Sequence, residues 1–170
     1  MASHSPSTLE TTCLAPASAR RAWTDRQKAY AQNLGDEVFT PALVVNGAAM
    51  LVGSDRDAVQ RAIDEATQLP LAVTLHRTAT GLEAEIGTFS GLLTGLLVTY
   101  DPEVTTEVGA GENHGRRLVE YRVVRDTVTM SALTPRVTLP PIPESRGAVL
   151  LVQDNAWHVV GAAELTQAQT

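Results

Sequence analysis

An intramolecular disulfide or a Cys-x-x-Cys site needs two cysteines, and this chain of 170 residues has one, Cys13. A fold stapled by its own disulfides is therefore excluded, as is dithiol chemistry within the chain. Positive charge is also scarce. Lys and Arg number 13 against 19 Asp and Glu, a net charge of -6. Nucleic acid is a poor match for that balance, because phosphate binding needs clustered cations. No run approaches the ~20 apolar residues of a membrane span. The longest apolar neighbourhood, Leu92 to Tyr100, is broken by Thr94 and Gly95 and reads as strand. The first residues, MASHSPSTLETTCLAPASARR, show no apolar run behind a basic start, so they do not form a secretory signal, and the chain as given reads as cytoplasmic.

What is present suits a globular chain. The hydrophobic fraction is 44%, and a chain of this length can bury roughly 70% of its unfolded surface without a metal or cofactor. Residues 1–21 are rich in Ser, Thr, Pro and Ala and read as a disordered tail. Thr24 with Gln27 fits a capping box for a helix whose Ala29, Tyr30 and Leu34 share one face, and Gly35 supplies its stop. Asn46-Gly47 lies between two short apolar runs and predicts a hairpin of Leu43–Val45 with Ala49–Val52, since a type I′ turn needs positive φ at both central positions. Ser54, with Asp57 three residues on, predicts the cap of a second helix, whose stripe is Ala58, Val59, Ala62, Ile63 and Ala66.

Beyond Pro70 the apolar period becomes two. Leu71, Val73 and Leu75 alternate with polar residues, and so does Leu82–Ile86. Further strands are expected at Leu96–Tyr100, Leu118–Met130, Arg136–Leu139, Ala148–Val152 and Trp157–Ala162. The fold class is α+β: a helix, β-hairpin, helix unit over 22–69, then an antiparallel β-sandwich-like domain over 70–166. Trp157 and Tyr121 are expected as strand aromatics in or beside its core.

The segments WTDRQKAYAQNLG, VFTPALVVNG and VGSDRDAVQRAI resemble a bacterial, usually exported, thioredoxin-like family of unknown function. YDPEVTTEVGAGENHGRRLVEYRVVRD and AVLLVQDN extend the likeness to roughly Ala22–Leu165. The resemblance implies the C-terminal half of a thioredoxin fold, with Thr40-Pro41 at the family's cis-proline position. Family members carry a signal peptide and a strand with a Cys-x-x-Cys-like motif ahead of this half. By that comparison the chain is expected to be truncated at its N-terminus. The hairpin and helices would then expose apolar surface, favouring self-association.

Sites are sparse. Cys13 is the weak redox candidate, against the plainer reading of an exposed thiol with an ordinary pKa near about 8.5. Gly109–Gly115 looks like a phosphate loop, but dinucleotide sites need glycines between strand and helix, and both flanks read as strand. Glu112 and Asn113 are expected to bond backbone in a long loop, with Arg116 or Arg125 paired to a carboxylate. The sharper reading makes these four an anion or peptide-terminus site. His76, His114 and His158 lack metal-ligand spacing, and Ser54 is a helix cap rather than a nucleophile. No cofactor or metal is implied, and the partner is an unknown protein or small molecule. Three functions follow: a degenerate thioredoxin-like protein without exchange activity, a cell-envelope binding module acting through the β domain, and a single-thiol redox protein using Cys13.

Overall fold

The computed structural model describes residues 17–165. Cys13 lies outside them. Among the described residues the order is α1 (Ala17–Leu34), β1 (Ala42–Val45), β2 (Ala49–Val52), α2 (Arg56–Glu65), β3 (Val73–Thr78), β4 (Gly81–Ile86), β5 (Thr94–Glu107), β6 (Arg117–Ser131), β7 (Arg136–Leu139), β8 (Gly147–Gln153) and β9 (Val159–Glu164). The class is α+β, with every strand pairing antiparallel.

The first helix is longer than its capping signal implied. It begins at Ala17, inside the segment read as tail, so Thr24 stands mid-helix. Ala17 to Ala22 is a run of Ala and Arg with one Ser, and Ala and Arg rank among the best helix formers. Gly35 ends it at φ 69°, and the Asp36 N–H closes the last turn onto the Ala31 carbonyl at 2.8 Å. The second helix is capped one residue later than expected. Asp55, not Ser54, accepts the Ala58 N–H at 3.0 Å, and a carboxylate there also suits the helix dipole.

The hairpin forms as its turn residues require. Asn46 and Gly47 stand at φ 49° and 71°, and the Ala48 N–H reaches the Val45 carbonyl at 2.9 Å. The Thr40–Pro41 peptide bond is cis. Across the turn, the Val159 N–H donates to the Asn46 carbonyl at 2.8 Å, which fastens the hairpin to β9.

The later strands make two sheets, ordered β3-β4-β7 and β6-β5-β8-β9. Leu75, Leu82, Ala84 and Ile86 from the first meet Leu97, Ala148, Leu150 and Val152 from the second in one core. Pairing puts Leu97 opposite Leu150 and Gly95 opposite Val152 on the core side, which leaves Leu96, Thr94 and Gln153 on the other face. Helix α1 lies over that outer face, held through Tyr30 and Arg26.

β6 fills the span expected for it, Leu118–Met130, whereas β5 outruns its expected Leu96–Tyr100. β5 and β6 continue past the sheet as a two-stranded arm, with Asp101 to Glu107 paired to Val123 through Arg117. The Gly109–Gly115 run is the loop at its tip. No core lies under the arm, so hydrophobic alternation carried no information on β5 there. Tyr121, expected beside the core, is 70% exposed on it.

Candidate functional site

The three outer-face neighbours Thr94, Leu96 and Thr129 come from two adjacent strands, with Leu96 paired to Thr129 and Thr94 to Gln153 of β8. They floor a groove of about 250 Å³ whose walls are Arg26 of α1 and the turn Asp154, Asn155 and Trp157. A second lobe of about 260 Å³ shares Arg26, Leu96, Thr129 and Trp157 and adds Trp23. Both tryptophans of the chain therefore line it.

The groove's walls are rigidly built. The Arg26 guanidinium stands over the rings of Tyr30, at 5.0 Å, and Trp157, at 5.4 Å. The two rings meet edge to face at 5.4 Å. One terminal nitrogen of Arg26 donates to the Tyr30 hydroxyl at 2.8 Å and to Gln153 Oε1 at 2.7 Å. Gln153, 4% exposed, spends its amide nitrogen on the same hydroxyl at 2.9 Å and on the Trp157 carbonyl at 2.8 Å. A buried amide needs such partners, since an unpaired one costs about 1–3 kcal/mol.

Trp157 was expected in a strand. It stands instead in the β8–β9 turn at φ 66°, a region that bulky residues rarely adopt. Asp154 holds this conformation, its Oδ1 accepting the Ala156 and His158 N–H groups at 2.9 Å each. Its other oxygen lies 3.2 Å from His158 Nδ1. Gly47 of the hairpin backs the turn so closely that a Cβ there would lie 2.1 Å from the Trp157 carbonyl oxygen. The groove is thus framed by α1, the hairpin and the four-stranded sheet together.

The residues expected to form a site do not converge. Glu112, Asn113 and Arg116 are exposed at the arm's tip, where the Asn113 carbonyl accepts the Arg116 N–H at 3.0 Å. Glu112 and Asn113 were expected to bond backbone, and Asn113 does so through its main-chain carbonyl. Arg125 sits nine residues further along the strand, roughly 30 Å away at strand rise, beside the bulge at Thr99 and Tyr100. There its Nε meets Asp101 at 2.6 Å, and Arg146 meets the other oxygen of Asp101 at 3.3 Å. Arg125 therefore has its expected carboxylate, in a half-buried pair that braces the base of the arm.

Nearby, burial and hydrogen-bond donation to Glu164 raise the Tyr100 phenol above its ordinary pKa of 10.0. His76 faces Glu83 at 3.5 Å, and His114 is in the tip loop. Among the described residues no group of three or more His, Cys, Asp or Glu could hold a metal ion, and no helix is long and apolar enough to cross a membrane. Sequence reading missed the groove because its members are remote in the chain, Arg26 and Gln153 lying 127 residues apart. The one local signal was the i, i+4 pair Arg26 and Tyr30, which marks one helix face.

Residues 17–153 match a family described as "Protein of unknown function (DUF1223)". The chain belongs to this family. In fold it is similar to the crystal structure of a structural-genomics protein from Agrobacterium tumefaciens, with a TM-score of 0.62 at 21% identity. That likeness covers 86% of this chain and 72% of the other, and at this identity it speaks for fold alone. No curated protein matches the chain. Arg26 and its two hydrogen-bond partners, Tyr30 and Gln153, fall within the family match, and Trp157 lies beyond it.

Proposed function

We propose that this chain is a binding protein that performs no thiol–disulfide exchange of its own and takes a small ligand in the groove between α1 and the four-stranded sheet. Its helix–hairpin–helix segment follows the chain order of the second half of a thioredoxin-like fold, and the β strands serve as its scaffold. Exchange by such folds needs an attacking thiolate and a second thiol that resolves the mixed disulfide, and the chain has one cysteine. The observation that carries the binding reading is the groove itself, open to solvent at a seam between elements, where ligand sites concentrate. Rigid aromatic walls, an apolar floor at Leu96 and hydroxyls at Thr94 and Thr129 line it.

The two halves of this reading are tested separately. In an insulin-reduction assay with dithiothreitol, the chain should match free cysteine. Activity above that level, lost in Cys13→Ser, would overturn the non-exchanging reading and favour single-thiol chemistry. For the groove, tryptophan fluorescence during titration with small aromatic compounds reports directly, because Trp23 and Trp157 both line it. Saturable change with at least one of phenylacetate, phenylacetamide and benzyl alcohol is expected. No change with any of them would overturn the groove as a binding site.

A further inference from the structure

Arg26 is charged at every accessible pH, and it is half-buried. Buried or half-buried cations are ordinarily matched by a carboxylate. Arg26 has no such match. Its two hydrogen-bond acceptors are a phenol and an amide, both neutral. Among the described residues no carboxylate lies within 4.0 Å of its guanidinium. Two acidic residues do line the lobes, and each is engaged elsewhere. Asp25 faces Arg21 at 4.0 Å, and Asp154 is held by two backbone N–H groups and His158.

A second observation points the same way. The Tyr30 hydroxyl accepts two hydrogen bonds, one from Arg26 and one from Gln153. Its own hydrogen has no acceptor among the described residues, although Tyr30 is only 7% exposed. The Gln153 amide cannot turn to supply one, because its Nε2 is also needed by the Trp157 carbonyl. A guanidinium with one nitrogen engaged keeps several further N–H donors. Arg26 and Tyr30 thus bring unused donors to a groove whose other lining is Leu96, the Trp157 indole, Asn155, the Thr94 and Thr129 hydroxyls and the already engaged Asp154.

We propose that the ligand of this groove is a small monocarboxylate with a flat apolar or aromatic body. Its carboxylate meets the free edge of the Arg26 guanidinium, and its body lies over Leu96 against Trp157. The proposal rests on the binding reading above and gives it a ligand class. Size follows from the lobe that Leu96, Trp157 and Asp154 line: at about 250 Å³ it is below the range of drug-sized sites and suits a body of one ring. Contacts with the Tyr30 and Trp157 rings and hydrogen bonds to Tyr30 and Gln153 hold the guanidinium before the ligand arrives, so little side-chain freedom is lost on binding.

The test compares phenylacetate with phenylacetamide, which share shape and differ in charge, by tryptophan fluorescence and calorimetry on the whole chain. Phenylacetate should bind about tenfold or more tighter, the difference a charge-assisted hydrogen bond makes, and should weaken with added sodium chloride. Arg26→Gln should abolish that preference, so that whatever binding remains no longer separates the two compounds. Should Arg26→Gln fail to fold, the ligand pair on the unaltered chain decides alone, with Leu96→Ala weakening both compounds. Equal affinity for the two compounds would overturn the carboxylate assignment and leave the groove standing. Absence of binding by either, and by benzyl alcohol, would overturn the groove as well.

Discussion

Strands β3 to β9 and the loops that join them bury twelve residues in one core, among them Leu82, Leu97, Leu150 and Val152 at no more than 1% exposure. The segment α1, β1, β2 and α2 buries three, Tyr30, Ala31 and Met50, and α2 contributes none. Val38, Val52 and Ile63 of that segment are each about half exposed. The α1–α2 segment therefore has only a small core of its own. It is held by directional contacts at the seam: the Arg26–Tyr30–Gln153 network, the Asn46–Val159 backbone bond and the approach of Gly47 to Trp157. One region is built by burial and the other by polar attachment, and the groove lies where they join.

The contrast breaks most sharply at its two extremes. Leu150→Ala empties the middle of the shared core and should cost about 2–5 kcal/mol in urea denaturation. Ile63→Ala on α2 should stay within about 0.5 kcal/mol. Equal effects would mean that the helical segment has a core comparable to that of the strands.

Gly47→Ala attacks the attachment directly. The new Cβ meets the Trp157 carbonyl, and φ 71° disfavours any L side chain. We expect a loss of about 1–3 kcal/mol. Amide exchange should speed up in α1 and the hairpin while the core strands stay protected. Uniform loss of protection would show that the two regions unfold as one.

Tyr100 sharpens the comparison from the β side. Burial and its bond to Glu164 favour the neutral phenol, so its pKa is raised in the folded chain. The resulting stabilisation is complete below the unfolded value near 10 and is lost as pH rises through the folded value. Thermal stability should fall in that alkaline window, and Tyr100→Phe should flatten the fall while lowering stability at neutral pH.

The smallest effect is expected at Thr99. Its Oγ1 is buried with no hydrogen-bond partner among the described residues. Thr99→Val keeps the shape and removes the orphaned hydroxyl, so a gain of up to about 1 kcal/mol should appear in the same denaturation series.

The sequence disclosed features whose cause is local. Asn46-Gly47 was legible because few residue pairs tolerate two successive positive φ values, and β4 because Leu82, Ala84 and Ile86 alternate over a buried face. Ser54 and Asp55 are both competent caps, so composition could not choose between them. β6 was legible over almost its whole length, whereas the outward run of β5 beyond Tyr100 was hidden because its exposed residues carry no apolar period. The groove was hidden because Arg26 and Gln153 look ordinary until the sheet brings them together. Arg125 found its carboxylate, but β-strand geometry separates it from the tip residues with which it had been grouped.

The seam also imposes an order on synthesis. Arg26 and Gln153 are 127 residues apart. At about 5–20 residues per second, α1 waits on the order of 6–25 s before its anchor has been translated. Most of a helix's stability in a protein comes from what it packs against, so during that interval α1 lacks its docking surface and is open to chaperones and proteases. The last hairpin to leave the ribosome thus determines when the first helix can settle. Changes in the turn from Gln153 to Val159 should reduce the yield of folded chain in cells more than their equilibrium cost suggests.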